Sequence, residues 1–232
     1  MNNTLLGAAA AAAAVAFAMP AAAQTSQKLQ VEATPQTNRL VSISFRDPIG
    51  QSFTAFSDTL TSVGFQFGSL NPTQPNNAIT LNIFSGETLT GSSLYTTSFT
   101  LPTSINSRTP TWFDVAIPDL AIMNGSVYSL VLTTGSSSRN SIAVGPGFNV
   151  SNGQFTSGDA YAGGRAFASQ ALYSNCQNDA NSICDLNFRV TGDILAAAVP
   201  EPSAWALLIL GFGVTGSALR ANRKRRVALT PA

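Results

Sequence analysis

The sequence VGFQF at residues 63–67 places an apolar side chain at every second position, and ITLNI at residues 79–83 does the same. Because successive side chains of a β-strand point to opposite faces, a period of two predicts a strand with one buried and one solvated face. Glycine and serine follow both stretches closely, as is typical of short strands in an antiparallel sheet. These two stretches therefore predict an all-β core.

The same alternation recurs through residues 39–195, with turn-forming residues between the alternating stretches. The further alternating positions are Val41, Ile43 and Phe45; Tyr95, Thr97, Phe99 and Leu101; Phe113, Val115 and Ile117; Tyr128, Leu130 and Leu132; Ile142 and Val144; and Leu186, Phe188 and Val190. No stretch of this region shows an apolar stripe with the 3.6-residue period of a helix. The pattern predicts an antiparallel β-sandwich of eight or more strands, with jelly-roll connectivity as the preferred form.

Composition excludes several classes of function. Charged residues make up only 10% of the 232 residues, the formal net charge is +1, and histidine is absent. The absence of histidine excludes Ser-His-Asp and Cys-His catalysis and every metal site that uses an imidazole ligand. Residues 24–199 contain seven basic and ten acidic side chains, so this part is mildly acidic and is not expected to bind nucleic acid.

The N-terminal residues 1–23 form an alanine-rich apolar run that Pro20 interrupts, with small residues at Ala21 and Ala23. This arrangement is typical of a secretory signal peptide with an A-x-A cleavage site. The following residues 24–38 are mainly polar and are predicted to be a flexible lead-in to the sandwich.

The C-terminal part of the chain has the pattern of a short membrane anchor. Residues 204–219 contain no charge, and the tail 220–226 supplies five basic side chains, Arg220, Arg223, Lys224, Arg225 and Arg226. At about 1.5 Å per residue, the apolar run spans about 24 Å, which Trp205 and a snorkelling Arg220 can extend to the membrane interfaces. We therefore predict a single transmembrane helix with its C-terminus in the cytoplasm and the preceding residues outside.

A specific motif precedes the predicted helix. Pro200-Glu201-Pro202 is followed by Trp205, a leucine-rich core, Gly211-Phe212-Gly213 and the basic tail. Residues 199–226 thereby resemble the PEP-CTERM sorting signal of Gram-negative bacteria. The resemblance implies recognition by exosortase, a membrane-embedded enzyme related in chemistry to cysteine transpeptidases, with cleavage near the Pro-Glu-Pro. The two prolines hold the chain extended and remove two backbone donors, so the motif is kept out of helix and sheet.

The predicted sandwich has a resemblance of its own. The sequences QSFTAFSDTLTSVGFQFG, ITLNIFSG, GSVYSLVLTTG, DAYAGGRAF and DLNFRVTGD follow one another in order. Together they resemble the extracellular choice-of-anchor domains, which are secreted β-sandwiches found upstream of several surface anchors. The resemblance covers most of residues 45–193, and it implies a fold but no catalytic or binding residues.

The two cysteines, Cys176 and Cys184, enclose a polar loop. In an exported chain with only two cysteines, an intramolecular disulfide is the expected state. The slightly longer stretch 175–185 holds Asn175, Asn178, Asp179, Asn181 and Asp185, whose oxygen atoms leave calcium binding open as an alternative.

Three aromatic residues are candidates for contact with a sugar, because they lie at or beyond the ends of predicted strands: Trp112, Tyr161 and Tyr173. Trp112 immediately precedes Phe113 in an alternating stretch, so its side chain is expected to point outward. Glycoside hydrolysis would instead need two carboxylates across a cleft. Glu87, Asp114, Asp119 and Asp159 are present, but spacing favours no pair among them.

Together these patterns predict a non-enzymatic exported protein, with no catalytic residue, metal or cofactor. It would pass through an inner-membrane intermediate to the outer surface or exopolysaccharide matrix of a Gram-negative bacterium. Its expected partners are exosortase, membrane lipid and exopolysaccharide. Two alternatives stay open: a carbohydrate-binding module of the matrix, and a hydrolase that relies on carboxylates.

Overall fold

The computed structural model describes residues 27–35, 39–149, 151, 154–172, 176, 182–194, 209–213, 215–216 and 220. The strands all lie in one compact unit, Ser26–Ala196, and form two antiparallel sheets that confirm the predicted all-β sandwich. The elements are β1 (Gln27–Ala33), β2 (Leu40–Ser42), α1 (Ile43–Arg46), β3 (Ile49–Thr54), β4 (Thr59–Ser69), β5 (Ile79–Ser85), β6 (Tyr95–Phe99), β7 (Thr111–Ala121), β8 (Val127–Thr134), β9 (Asn140–Gly145), β10 (Phe148–Asn149), β11 (Gln154–Phe155), β12 (Ala166–Ala168), β13 (Asp185–Leu186) and β14 (Phe188–Ile194).

The longer strands determine how the two sheets are arranged. The first sheet has the order β1-β14-β4-β9-β13, with β2 added beside β9 and β7 beside β4. The second sheet has the order β12-β3-β8-β5-β6, and β10 and β11 form a separate hairpin. Strand β4 is central to the first sheet, because β7 pairs along one of its edges while β14 and β9 share the other.

The core lies between the inner faces of the two sheets. The alternating residues Val63, Phe65 and Phe67 of β4 are fully buried, as are Ile79, Leu81 and Ile83 of β5. Phe113 of β7 stacks on Phe99 of β6 with ring centroids 5.1 Å apart, and Phe67 contacts both rings edge to face. The period of two predicted from sequence is therefore the period with which these strands enter the core.

The prediction of a flexible lead-in over residues 24–38 is wrong for residues 27–33. These residues form β1, which pairs along its whole length with β14. Leu29, Val31 and Ala33 point toward the interior and alternate with polar residues, a weak period of two that the polar composition conceals. An edge strand is held largely by main-chain hydrogen bonds to its neighbour, so it needs only a modest apolar face. Residues 24–26 and 36–38 lie outside the described residues.

The expected strand through Val41, Ile43 and Phe45 is also interrupted. β2 ends at Ser42, and Ile43–Arg46 form a single helical turn. The turn buries Ile43 completely but leaves Phe45 62% exposed, with the Arg46 guanidinium 4.6 Å from its ring centroid. A helical turn rotates successive side chains by about 100° instead of 180°, so Ile43 and Phe45 no longer share a face.

The two chain ends are described only in part. The predicted signal peptide 1–23 lies outside the described residues. Of the predicted transmembrane segment 204–219, residues 209–213 and 215–216 are described and are helical, with exposed side chains at Ile209, Leu210 and Phe212. Among the residues that the structure describes, none of the helices has the length and apolar character needed to cross a bilayer.

Candidate functional site

The outward face of strands β1, β14, β4 and β7 carries a row of aligned polar residues. The strand register places Glu32 of β1 opposite Arg189 of β14, Arg189 opposite Gly64 of β4, and Gly64 opposite Asp114 of β7. Their chain neighbours Phe65, Phe113 and Phe188 face the core. Since neighbouring side chains of a strand alternate, the row lies on the solvent side of the sheet.

An ion pair bridges this row. The Nε atom of Arg189 donates to Oδ1 of Asp114 over 2.7 Å, and Nη2 donates to Oδ2, so the contact has two parallel hydrogen bonds. Oε2 of Glu32 lies 3.8 Å from Nη1 of the same guanidinium. The hydrogen bonds from Arg189 to Asp114 raise the pKa of the guanidinium, and the charges of both carboxylates act in the same direction. Arg189 is therefore held in one place by acidic groups on both sides.

Gly64 is what allows the pair to form across β4. A Cβ atom at this position would lie 2.2 Å from Oδ1 of Asp114 and 2.9 Å from Cγ of Arg189. Those distances are shorter than van der Waals contact, so any other residue would push the two charged side chains apart. The glycine thus leaves a gap in the middle strand that the ion pair fills.

Trp112 lies beside this pair on the outer face. It is opposite Gln66 of β4, while the next residue, Phe113, packs into the core. The prediction that its side chain points outward is therefore in agreement with the register. The Arg189 guanidinium lies 4.4 Å from the centroid of the indole ring, which is the distance of a cation–π contact. The half-buried indole is thereby joined to the ion pair.

The next row along the same face is lined by smaller side chains. Thr191 of β14 is opposite Ser62 of β4, and Ser62 is opposite Ala116 of β7, while Gln30 of β1 completes the row beside Thr191. A shallow groove of about 570 Å³ runs over this row. The Arg189–Asp114 pair lines one side of the groove, and Lys28 of β1 lines the other. Fixed charges and hydroxyl and amide groups therefore line the groove, and Trp112 lies on the same face beyond the ion pair.

A second cluster lies at the start of β13, where Asp185 is fully buried. Gln51 Nε2 donates to Oδ1 of Asp185 over 2.8 Å, and the backbone N–H of Tyr161 donates to Oδ2 over 3.1 Å. The same N–H is 2.9 Å from Oδ1 of Asp159. Burial raises the pKa of Asp185 to about 7, and the nearby charge of Asp159 adds to the increase. Asp185 is therefore an acid that can hold its proton near neutral pH.

An open cleft of about 410 Å³ lies next to this cluster and is lined by Glu87, Asp159 and Arg165. Nε of Arg165 donates to both carboxylate oxygens of Glu87, at 3.1 and 3.2 Å, and Ser52 Oγ donates to Oε2 over 2.8 Å. Both Glu87 and Asp159 therefore already accept hydrogen bonds within the protein.

The structure does not bring the aromatic candidates together. Tyr161 is half-buried: its hydroxyl accepts from the Thr54 N–H over 3.2 Å and its ring packs edge to face on Phe188, with centroids 5.3 Å apart. Phe188 faces the core and Arg189 faces outward, so Tyr161 and Trp112 contact opposite sides of β14. Tyr173 lies outside the described residues.

The predicted disulfide between Cys176 and Cys184 is confirmed, and both residues are buried. Of the alternative calcium loop, Asn175, Asn178, Asp179 and Asn181 fall outside the described residues. Within the described ranges, no three acidic or cysteine side chains are grouped closely enough to hold a metal ion.

Sequence reasoning missed Gln51 and Gly64, and it named Asp185 only as a calcium ligand. A polar residue inside an otherwise apolar strand, such as Gln51 in the sequence IGQSF, is a signal of a buried hydrogen bond. A glycine in the middle of an alternating stretch is similarly a signal of close approach by a neighbour. Neither signal indicates which partner would be found.

The sorting motif itself lies outside the described residues from Pro200 to Trp205 and from Arg223 to Arg226, while Arg220 is helical and exposed. Comparison with protein families matches residues 198–226 to the PEP-CTERM protein-sorting motif, which confirms the resemblance drawn from the sequence. No curated protein matches the chain. The likeness of residues 45–193 to choice-of-anchor domains stays a prediction. The chain thus carries a PEP-CTERM sorting motif, which marks it as an exported protein that exosortase processes on its way through the membrane to the cell surface.

Proposed function

We propose that this chain is a non-enzymatic component of the outer surface or exopolysaccharide matrix of a Gram-negative bacterium. The observation that carries the proposal is the order of the two along the sequence, in which the sorting motif follows the folded domain. The last strand of the described residues, β14, ends at Ile194, and the motif match begins at residue 198. Cleavage near Pro200-Glu201-Pro202 would therefore separate the apolar C-terminal segment and basic tail from a sandwich that keeps every strand the structure describes.

Two features of the sandwich are compatible with an extracellular location. The Cys176–Cys184 disulfide is of the kind that persists in an oxidising compartment. The described sandwich also has its edge strand β1 paired with β14, so the N-terminal part contributes to the sheet. A domain of this kind can stay folded after the membrane anchor has been removed.

The carboxylates near the cleft support a non-enzymatic role. Glu87 is engaged by Arg165 and Ser52, and Asp185 is buried beneath Gln51 and the Tyr161 backbone. A general acid and base for glycoside hydrolysis must reach the substrate from opposite sides of an open cleft. These residues instead hold strands and loops of the protein together.

The processing proposal is tested on protein recovered from the cell surface and medium. We expect intact mass measurement to show that residues Arg220–Ala232 are absent and that the N-terminus begins near Gln24. The double substitution Pro200→Ala with Pro202→Ala should retain the uncut chain in the membrane fraction. Pro231→Ala, beyond the motif match, is the matched control and should be processed normally. Surface protein that keeps its complete tail would contradict the proposal.

The hydrolase alternative is tested separately. The purified chain is incubated with soluble polysaccharides, and new reducing ends are measured over time. We expect no hydrolysis. Release of reducing ends that disappears in Asp185→Asn or Glu87→Gln, with the fold unchanged by circular dichroism, would show that the protein is an enzyme.

Carbohydrate binding is the second candidate function, and one observation favours it. The outer face of the first sheet carries a groove lined by polar side chains, and Trp112 lies on the same face beyond the Arg189–Asp114 pair.

A further inference from the structure

We propose that the outer face of β1, β14, β4 and β7 binds a neutral polysaccharide chain, in the groove between the Arg189–Asp114 pair and strand β1. The inference deepens the proposed matrix function and rests on it for its biological setting.

The shape of the face suits an extended chain. Ser62 and Thr191 form the floor, with the small residue Ala116 next in the same row, while Arg189 and Asp114 stand on one side. Four neighbouring strands about 4.8 Å apart give the face a width of about 14 Å. A face of this width can take several sugar units of a long polymer.

The polar side chains of this face can form hydrogen bonds with sugar hydroxyl groups. The side chains of Glu32 and Asp114 are 38% and 45% exposed, so each has oxygen lone pairs that can accept from a sugar hydroxyl. Thr191 and Ser62 present hydroxyls from the floor, and Gln30 presents an amide from the edge strand. All five are attached to paired strands, so their spacing is fixed before the ligand arrives and little ordering entropy is lost on binding.

The charges on the face favour an uncharged polymer over an acidic one. Arg189 is already satisfied by Asp114 and Glu32, and Lys28 is the register partner of Asp193. Counted over these paired strand rows, the face holds three carboxylates, Glu32, Asp114 and Asp193, and two basic groups, Arg189 and Lys28. An anionic polysaccharide would bring its charges against carboxylates without meeting a guanidinium that lacks a partner.

Trp112 has a positioning role in this site. Its indole lies against the Arg189 guanidinium at 4.4 Å and so supports one wall of the groove. In the strand register the ring lies beyond the ion pair from Ser62 and Thr191, so its role is to hold Arg189 in place and not to contact the ligand.

The test uses the full chain purified in detergent micelles and titrated calorimetrically with three polymers. The probes are a soluble β-glucan and dextran, which are neutral, and polygalacturonate, which is anionic. We expect at least one neutral polymer to bind and polygalacturonate to bind at least tenfold more weakly. Binding of none of the three, or preferential binding of polygalacturonate, would overturn the proposal.

The site is assigned with matched variants. Gln30→Ala should weaken binding about fivefold, which corresponds to one lost hydrogen bond, and Ser62→Tyr should abolish binding by filling the groove. Gln27→Ala is the control, because Gln27 lies on the same strand with its side chain toward the opposite face. Equal binding by Gln30→Ala, Ser62→Tyr and the parent chain would place the ligand elsewhere and overturn the assignment. These measurements use purified protein, so they are independent of whether exosortase processes the chain in the cell.

Discussion

The guanidinium of Arg189 and the carboxylate of Asp114 meet above Gly64, although one strand separates them. The contact exists because the middle strand has no side chain at that point, and a Cβ atom there would come within 2.2 Å of the carboxylate. The same pair supports Trp112 and forms one wall of the groove. A small residue in a central strand thus determines the chemistry of the outer face.

Substitution Gly64→Ala should separate the pair. We expect a loss of about 1–3 kcal/mol of unfolding free energy, because the methyl group forces Asp114 and Arg189 to move. Urea unfolding followed by circular dichroism measures the loss. Gly158→Ala is the control, since a Cβ at Gly158 would meet nothing within 4 Å. In an Asp114→Ala background the cost of Gly64→Ala should fall, and an unchanged cost would contradict this explanation.

Asp185 should make stability depend on pH. Its pKa is about 7 in the folded protein against an ordinary value of 3.8, so the folded state binds the proton more tightly than the unfolded chain does. The stabilisation from this group is therefore fully present below about pH 4, decreases as pH rises toward 7 and does not change further above that. The total loss of unfolding free energy is about 4 kcal/mol at most.

Asp185→Asn tests this linkage. An asparagine can still accept from Gln51 and can donate to Asp159, but it does not titrate. We expect the variant to lose the decline in stability between pH 4 and 7 and to be more stable than the parent at pH 8. Asp119→Asn, at an exposed position, serves as the control. A decline of the same size in Asp185→Asn would show that another group is responsible.

The disulfide should stabilise the fold modestly, because the loop it closes is short. Cys176 and Cys184 are eight residues apart, and the chain-entropy model gives about 2.5 kcal/mol for a loop of this size. The double substitution Cys176→Ser with Cys184→Ser should lower the unfolding free energy by about that amount. Reductant should destabilise the parent to a similar extent and leave the double variant unchanged.

The hydroxyl of Tyr161 should contribute to the stability of the fold. That group accepts from the Thr54 N–H over 3.2 Å and donates to the Thr54 carbonyl over 3.3 Å, tying the segment before β12 to the end of β3. Tyr161→Phe keeps the packing on Phe188 and leaves the Thr54 backbone groups without this partner. We expect a loss of about 1–2 kcal/mol in thermal unfolding. Tyr95→Phe is the control, and equal effects of the two substitutions would count against a specific role for the hydroxyl.

The class of fold and the sorting motif followed from the sequence because both are recorded in residues that are neighbours along the chain. The alternation in VGFQF reflects the pleat of a strand, which acts over two residues at a time. The Pro-Glu-Pro, the apolar run and the basic tail are likewise a linear signal that an enzyme reads in an extended segment. The disulfide was predictable for a related reason, since each cysteine in an exported chain with two cysteines has one possible intramolecular partner.

Contacts between distant residues were decided only by the tertiary structure. Arg189 and Asp114 are 75 residues apart, and Gln51 and Asp185 are 134 apart, so their contacts depend on strand order and register. The strand over residues 27–33 depends in the same way on the free edge of β14. A period of two tells which side of a strand is buried, but hydrogen bonding between backbones is the same for every sequence, so it does not reveal which strand will be the neighbour.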